Sequence, residues 1–105
     1  MKLYRLEPTA RADLANISVF IAKDSVSAAE RLLDRFHDAF RFLVANPLSV
    51  EKRIDFGADL RQFTLGNYVI LFRPHTAGVS IANVIHGARD LGALFRKQKD
   101  EGDSR

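Results

Sequence analysis

The sequence has no cysteine, only three prolines, and no apolar run approaching the length of a membrane span. Without cysteine there is neither a disulfide framework nor a thiolate metal site. A spanning helix needs about 20 consecutive apolar residues, and a membrane role is therefore not expected. The opening Met1-Lys2-Leu3-Tyr4-Arg5-Leu6-Glu7 carries an acid early and has no apolar core of signal-sequence length. The expected location is cytoplasmic. His37, His75 and His86 are widely separated with no ligand spacing linking them, so neither a metal nor another cofactor is expected. Ser18, Ser25, Ser27, Ser49 and Ser80 lack the context of an activated nucleophile. Gly66, Gly78 and Gly87 fit turns or strand ends, not a phosphate cradle. No internal repeat or low-complexity segment is present.

What the sequence does contain is enough apolar material for one core. A chain of 105 residues, 47% of them apolar and eight of them Phe, fits a single domain. The domain is placed at residues 1–96, with a polar tail at 97–105. Net charge is +3, from sixteen basic and thirteen acidic residues. Eleven of the basic residues are Arg, whose planar guanidinium grips carboxylate and phosphate groups bidentately. An acidic peptide or a nucleic acid is the partner class this balance fits. An ordinary solvated surface fits it equally.

Local patterning predicts α+β architecture. Leu3 to Leu6 reads as a short strand stopped by Pro8, with Thr9 as the expected cap of the following helix. Ala10, Leu14, Ile17 and Ile21 fall at helical spacing, with Phe20 widening the stripe. Asp24 to Ser27 interrupts that pattern. Ser27 with Glu30 has capping-box spacing for a second helix, and Ser25 is the alternative start. The second helix carries a long stripe of Ala29, Leu32, Leu33, Phe36, Phe40, Leu43 and Val44, and ends at Asn46-Pro47. So short a link predicts an antiparallel helical hairpin.

Leu48 to Asp59 has no period and reads as a loop. Three strands then follow as a meander. The first runs from Leu60 to Leu65, and Gly66-Asn67 makes a two-residue hairpin turn. Tyr68 to Phe72 is almost continuously apolar and therefore central. Pro74 to Gly78 is the next turn. Val79 to Ile85 alternates, with Val79, Ile81 and Ile85 among its apolar positions. Leu91, Leu94 and Phe95 mark a short C-terminal amphipathic element. The expected fold is a helical hairpin packed on one face of a small antiparallel sheet.

Several strings carry a family resemblance. They are Ala12-Asp13-Leu14 with Ile17, Ser27-Ala28-Ala29, Pro47, Leu60-Arg61-Gln62-Phe63, Gly66 to Arg73, and Val84-Ile85-His86-Gly87-Ala88-Arg89-Asp90. Each is weak alone; in this order and spacing they resemble the ParE branch of the RelE/ParE toxin–antitoxin superfamily, from Ala10 to about Asp90. The resemblance implies a type II toxin that poisons DNA gyrase. It also implies neutralisation by a ParD-like antitoxin whose C-terminal segment folds onto the toxin. Operator binding belongs to the antitoxin, so no sequence-specific DNA binding is expected of this chain. A RelE-like mRNA endonuclease and a degenerate, non-toxic binding module are the alternatives.

Cleavage of RNA at a 2′-OH needs a base, an acid and cations on the phosphate. Arg61, Arg73 and His86 are the candidates, provided that neighbouring strand ends bring them together. Gly87 stands where ribonuclease relatives often carry Tyr, and glycine cannot move a proton. The favoured assignment is therefore no catalytic residue. Arg61, Arg73, Arg89, Leu91, Leu94 and Phe95 are instead assigned to partner binding. Arg61 and Arg73 also have structural readings as ion-pair members, and His86 as a hydrogen-bonding residue at a strand end.

Overall fold

The structure is a computed structural model, and it describes residues 3–48 and 59–87. The elements run β1 (Leu3–Leu6), α1 (Pro8–Ala22), α2 (Val26–Ala45), β2 (Arg61–Leu65), β3 (Tyr68–His75) and β4 (Gly78–His86). The four strands form one sheet in the order β1-β4-β3-β2. The helical hairpin covers one face, with α1 lying on β4 and α2 meeting both β1 and β4.

The α+β class and the meander match the sequence expectation, with one difference in strand direction. β1 pairs with β4 in parallel, from Leu3 opposite Gly78 to Leu6 opposite Ile81, so the sheet is mixed. The antiparallel meander makes β4 run in the direction of β2, and β1 runs that same way beside it. Strand alternation reports side-chain faces, and it carries no information about the direction of a neighbour.

Pro8 opens α1 at its first turn, where its missing N–H costs nothing. Glu7 is the N-cap and makes no side-chain cap. The expected cap, Thr9, instead donates its hydroxyl to the Ala82 carbonyl at 2.5 Å and fastens the helix to β4. Ser25 is the N-cap of α2, its Oγ accepting from the Ala28 N–H at 3.1 Å. Ser27 lies inside the helix, where Arg31 donates to its hydroxyl. Helix α2 stops at Ala45, and Asn46 Nδ2 donates back to the Phe42 carbonyl at 2.9 Å.

The main core lies between hairpin and sheet. Ala10, Leu14, Phe36, Phe40 and Leu43 of the helices meet Ile70, Phe72, Val79, Ile81 and Val84 of the strands. Phe36 and Phe40 are wholly buried; complete burial of one such side chain is worth roughly 1.5–3 kcal/mol. A second cluster of Leu60, Val69, Leu71 and Ala82 occupies the opposite face of the sheet. β3 thus contributes apolar residues to both faces, as its continuous run requires.

A bulge changes the reading of β4. Asn83 pairs with Leu71 and Ile81 with Phe72, which leaves Ala82 as the extra residue. Beyond it the faces exchange. Val84 joins Val79 and Ile81 in the main core, while Ile85, expected beside them, packs on the other cluster. Asp13 of α1 holds the bulge, with Oδ2 accepting from the Val84 N–H at 2.9 Å and from Asn83 Nδ2 at 3.4 Å.

Two turns differ in detail from expectation. Leu65 pairs with Tyr68 around Gly66-Asn67, and Gly66 has φ +57° while no non-glycine residue among those described has positive φ. That pattern belongs to turns with glycine first. The second turn is tighter than predicted, because β3 continues through Pro74 to His75 and pairs with Gly78. β2 reaches only to Phe72 on the other side, so Pro74 stands where β3 is laddered along one edge.

Candidate partner-binding surface

The structure does not bring Arg61, Arg73 and His86 together. Arg61 is opposite Phe72, whereas His86 is opposite Tyr68 at the far end of β3. Four residues of strand separate those two positions, about 13 Å at roughly 3.3 Å per residue. Arg73 is nearer to Arg61 along the sheet but faces the other way. It alternates with Phe72 of the main core and shares a face with Leu71, while Arg61 shares the helix-side face with Phe63 and Leu65.

Each of the three has distinct surroundings. Arg61 is half-buried and lines a small cleft of about 250 Å³ with Leu48, Asp59 and Pro74. Arg73 donates from Nη1 to Glu7, at 3.1 Å to Oε2 and 3.4 Å to Oε1. The same Glu7 oxygen accepts from the buried Ser80 hydroxyl at 2.8 Å. Glu7 thereby ties the start of α1 to β4 and β3, and Arg73 takes the strand-end ion-pair role. His86 is exposed and meets the Tyr68 ring edge-on at 5.4 Å. Arg89, Leu91, Leu94 and Phe95 lie outside the described residues.

Sequence reasoning missed the feature beside His86. A groove of about 520 Å³ runs between the C-terminal half of α1 and the open end of the sheet. Asn16, Ile17, Phe20 and Ile21 form its helical wall. Asn67, Tyr68 and His86 form the wall from the sheet. Phe20 was expected on the core stripe, yet it is 68% exposed. The reason is angular: Leu14 is buried and Ile17 and Ile21 half-buried, which places Phe20 at the stripe's margin, beside the strand ends at Tyr68 and His86. A bulky aromatic one position beyond a complete helical stripe was the available signal.

Other features serve the scaffold. Tyr4 Oη and His37 Nδ1 are hydrogen-bonded at 2.6 Å, joining β1 to α2. Among the described residues, no three His, Asp or Glu side chains gather as a metal site. No helix among them is long and apolar enough to cross a membrane.

A family model described as ParE toxin of type II toxin-antitoxin system, parDE, matches residues 4–91. Among solved structures, a chain of the chromosomal ParDE TA system from P. aeruginosa superposes with a TM-score of 0.65 at 20% sequence identity. The alignment covers 83% of this chain and 97% of that one. No curated protein matches this sequence.

Proposed function

This chain belongs to the ParE toxin family of type II toxin–antitoxin systems, and on that premise we propose that it arrests growth by inhibiting DNA gyrase and is neutralised by a cognate ParD-like antitoxin. The observation that carries the reading is the family match, which runs from β1 to beyond the last strand. Supporting it against the mRNA-endonuclease reading, Arg61 and Arg73 occupy opposite faces of the sheet and His86 lies at its other end. General acid–base cleavage needs those groups within hydrogen-bond reach of one phosphate.

The antitoxin segment is proposed to run along the helical hairpin and one open sheet edge. β1 and β2 are the two edges, and edge strands accept an added strand. Val19 and Val26 are exposed near the hairpin turn and offer apolar contacts there. Arg61 on β2 is proposed to meet an acidic antitoxin residue. The stretch from Arg89 to Arg96, with Leu91, Leu94 and Phe95, is proposed to act on gyrase. Truncation after Asp90 tests this last assignment: loss of toxicity with antitoxin binding retained supports it, and full toxicity refutes it.

Induction of the chain in cells without antitoxin tests the target class. Incorporation of labelled thymidine should stop before incorporation of labelled methionine. Arrest of protein synthesis first, with mRNA cut, refutes the gyrase reading. Co-expression of the cognate ribbon-helix-helix protein should restore growth.

A further inference from the structure

Both faces of the sheet carry buried apolar residues, and the helices account for one of them. α1 and α2 pack on the face of Phe72, Val79 and Ile81. On the other face Leu71 is 0% exposed, and Leu60, Val69 and Ala82 are buried with it. No residue of α1 or α2 belongs to that second cluster. A sheet face left to water carries polar side chains. Complete burial of Leu71 needs a cover that neither helix supplies. The path of the chain points to its source. Ile85, at the edge of the cluster, is opposite Val69, and His86 is opposite Tyr68. Gly87 then takes φ +47°, with the Asn67 carbonyl oxygen 3.1 Å from the point its Cβ would occupy. Left-handed backbone of this kind redirects a chain at a strand end. Residues 88–105 follow from there, and Leu91, Leu94 and Phe95 among them fall at i, i+3 and i+4. Helical spacing sets Arg89 and Arg96 on the opposite side.

We propose that residues 88–96 fold back over this second face as a short helix, with Leu91, Leu94 and Phe95 packed on Val69, Leu71 and Ile85. The lengths agree. Leu60 precedes Arg61, which is opposite Phe72, so the cluster extends over four residues of β3 from Val69, about 13 Å at roughly 3.3 Å per residue. Nine residues of helix span about 13 Å at roughly 1.5 Å each. The groove beside Phe20 is not the landing place, since Phe20 stays 68% exposed while Leu71 is sealed. Residues 49–58 lead into Leu60 at the far end of the cluster, and their Val50, Ile54 and Phe56 follow no helical period. Leu94 and Phe95 lie beyond the family match, which ends at residue 91, so the family reading does not itself supply this cover. The proposal does not rest on the gyrase reading. If that reading holds, the apolar residues serve it by positioning the stretch, with Arg89 and Arg96 turned outward.

The test is NMR spectroscopy of the isotope-labelled full-length protein, reading nuclear Overhauser contacts between methyl and aromatic protons. The Phe95 ring and the Leu94 methyls should contact the methyls of Leu71 and of Val69 or Ile85. Contacts from Leu94 and Phe95 to Phe20 instead, or contacts to Leu71 from Ile54 and Phe56 alone, overturn the proposal. A double variant, Leu94→Ala with Phe95→Ala, gives a second readout. Its melting temperature should fall by at least about 8 °C, and it should bind a hydrophobic dye that wild type does not. Phe20→Ala changes an exposed residue and should leave the melting temperature within about 2 °C of wild type. An unchanged melting temperature in the double variant also overturns the proposal. The wild-type contacts decide the matter even where the double variant does not fold. Neither readout uses toxicity, so failure here is distinct from failure of the gyrase reading.

Discussion

Replacing Asp13 with Ala removes the acceptor that holds the β4 bulge. In the native fold Asp13 Oδ2 accepts from the Val84 N–H at 2.9 Å and from Asn83 Nδ2 at 3.4 Å. Val84 is only 2% exposed, so water has little room to replace the carboxylate. A hydrogen bond to a charged acceptor contributes roughly 1.5–3 kcal/mol, and a buried donor left unsatisfied costs a similar amount. The expected loss for Asp13→Ala is therefore about 1.5–3 kcal/mol, or roughly 6–12 °C in melting temperature for a domain of this size. Asp13→Asn keeps an oxygen acceptor of the same shape and should recover about half of the loss. Urea denaturation gives the free energies, and amide hydrogen exchange reports on the Val84 N–H directly. Protection at Val84 should fall more than at Ile70, in the middle of β3. A change below about 0.5 kcal/mol in Asp13→Ala, or unaltered protection at Val84, would refute the claim that α1 holds the bulge.

Four further substitutions probe the scaffold. Gly78→Ala places a Cβ 1.8 Å from the Leu3 carbonyl oxygen at φ +141°. The clash is with backbone, so β1 must separate from β4, and a loss of at least ~3 kcal/mol is expected by chemical denaturation. Phe40→Ala empties a wholly buried site between Tyr4, Phe36 and His37 and should cost about 3–5 kcal/mol by the same measurement. Ser25→Ala removes the α2 cap and should cost about 1 kcal/mol, whereas Ser27→Ala should cost less than half of that. Equal losses at the two serines would reverse the cap assignment.

Much of this fold is legible in the residue pattern, and the exceptions have physical causes. Helix α2 is plain because its apolar stripe runs unbroken from Ala29 to Val44 and Pro47 closes it. β3 is plain because an apolar residue at every position from Tyr68 to Phe72 leaves only a strand covered on both faces. The parallel pairing of β1 is invisible locally, since a four-residue strand reads the same beside either kind of neighbour. The bulge at Ala82 is likewise hidden. Alanine fits both a pleat and a bulge, and the stabilising carboxylate comes from Asp13, about 70 residues away in the chain. Thr9 lies next to a helix start and has a capping side chain, but the Ala82 carbonyl is the partner that tertiary packing provides.

The candidate surface was half legible. His86 stood out as a rare titratable residue at a strand end. Its partnership with Arg61 and Arg73 depended on register, and register puts His86 at the other end of β3 from both, with the two arginines on opposite faces. Phe20 was absorbed into the core because its spacing fits a wide helical stripe. Only tertiary packing shows that this part of α1 lies beside the ends of β3 and β4. Asn16 and Asn67 carried no signal of their own, since one sits in a helix and the other in a turn whose geometry already accounts for it.

The most direct test of the central claim adds the purified protein to DNA gyrase with relaxed plasmid, and in parallel to translating ribosomes. Blocked supercoiling or trapped cleaved plasmid, with mRNA left whole, is the predicted result. Cut mRNA with normal supercoiling would contradict it, and would make Arg61, Arg73 and His86 the first residues to substitute.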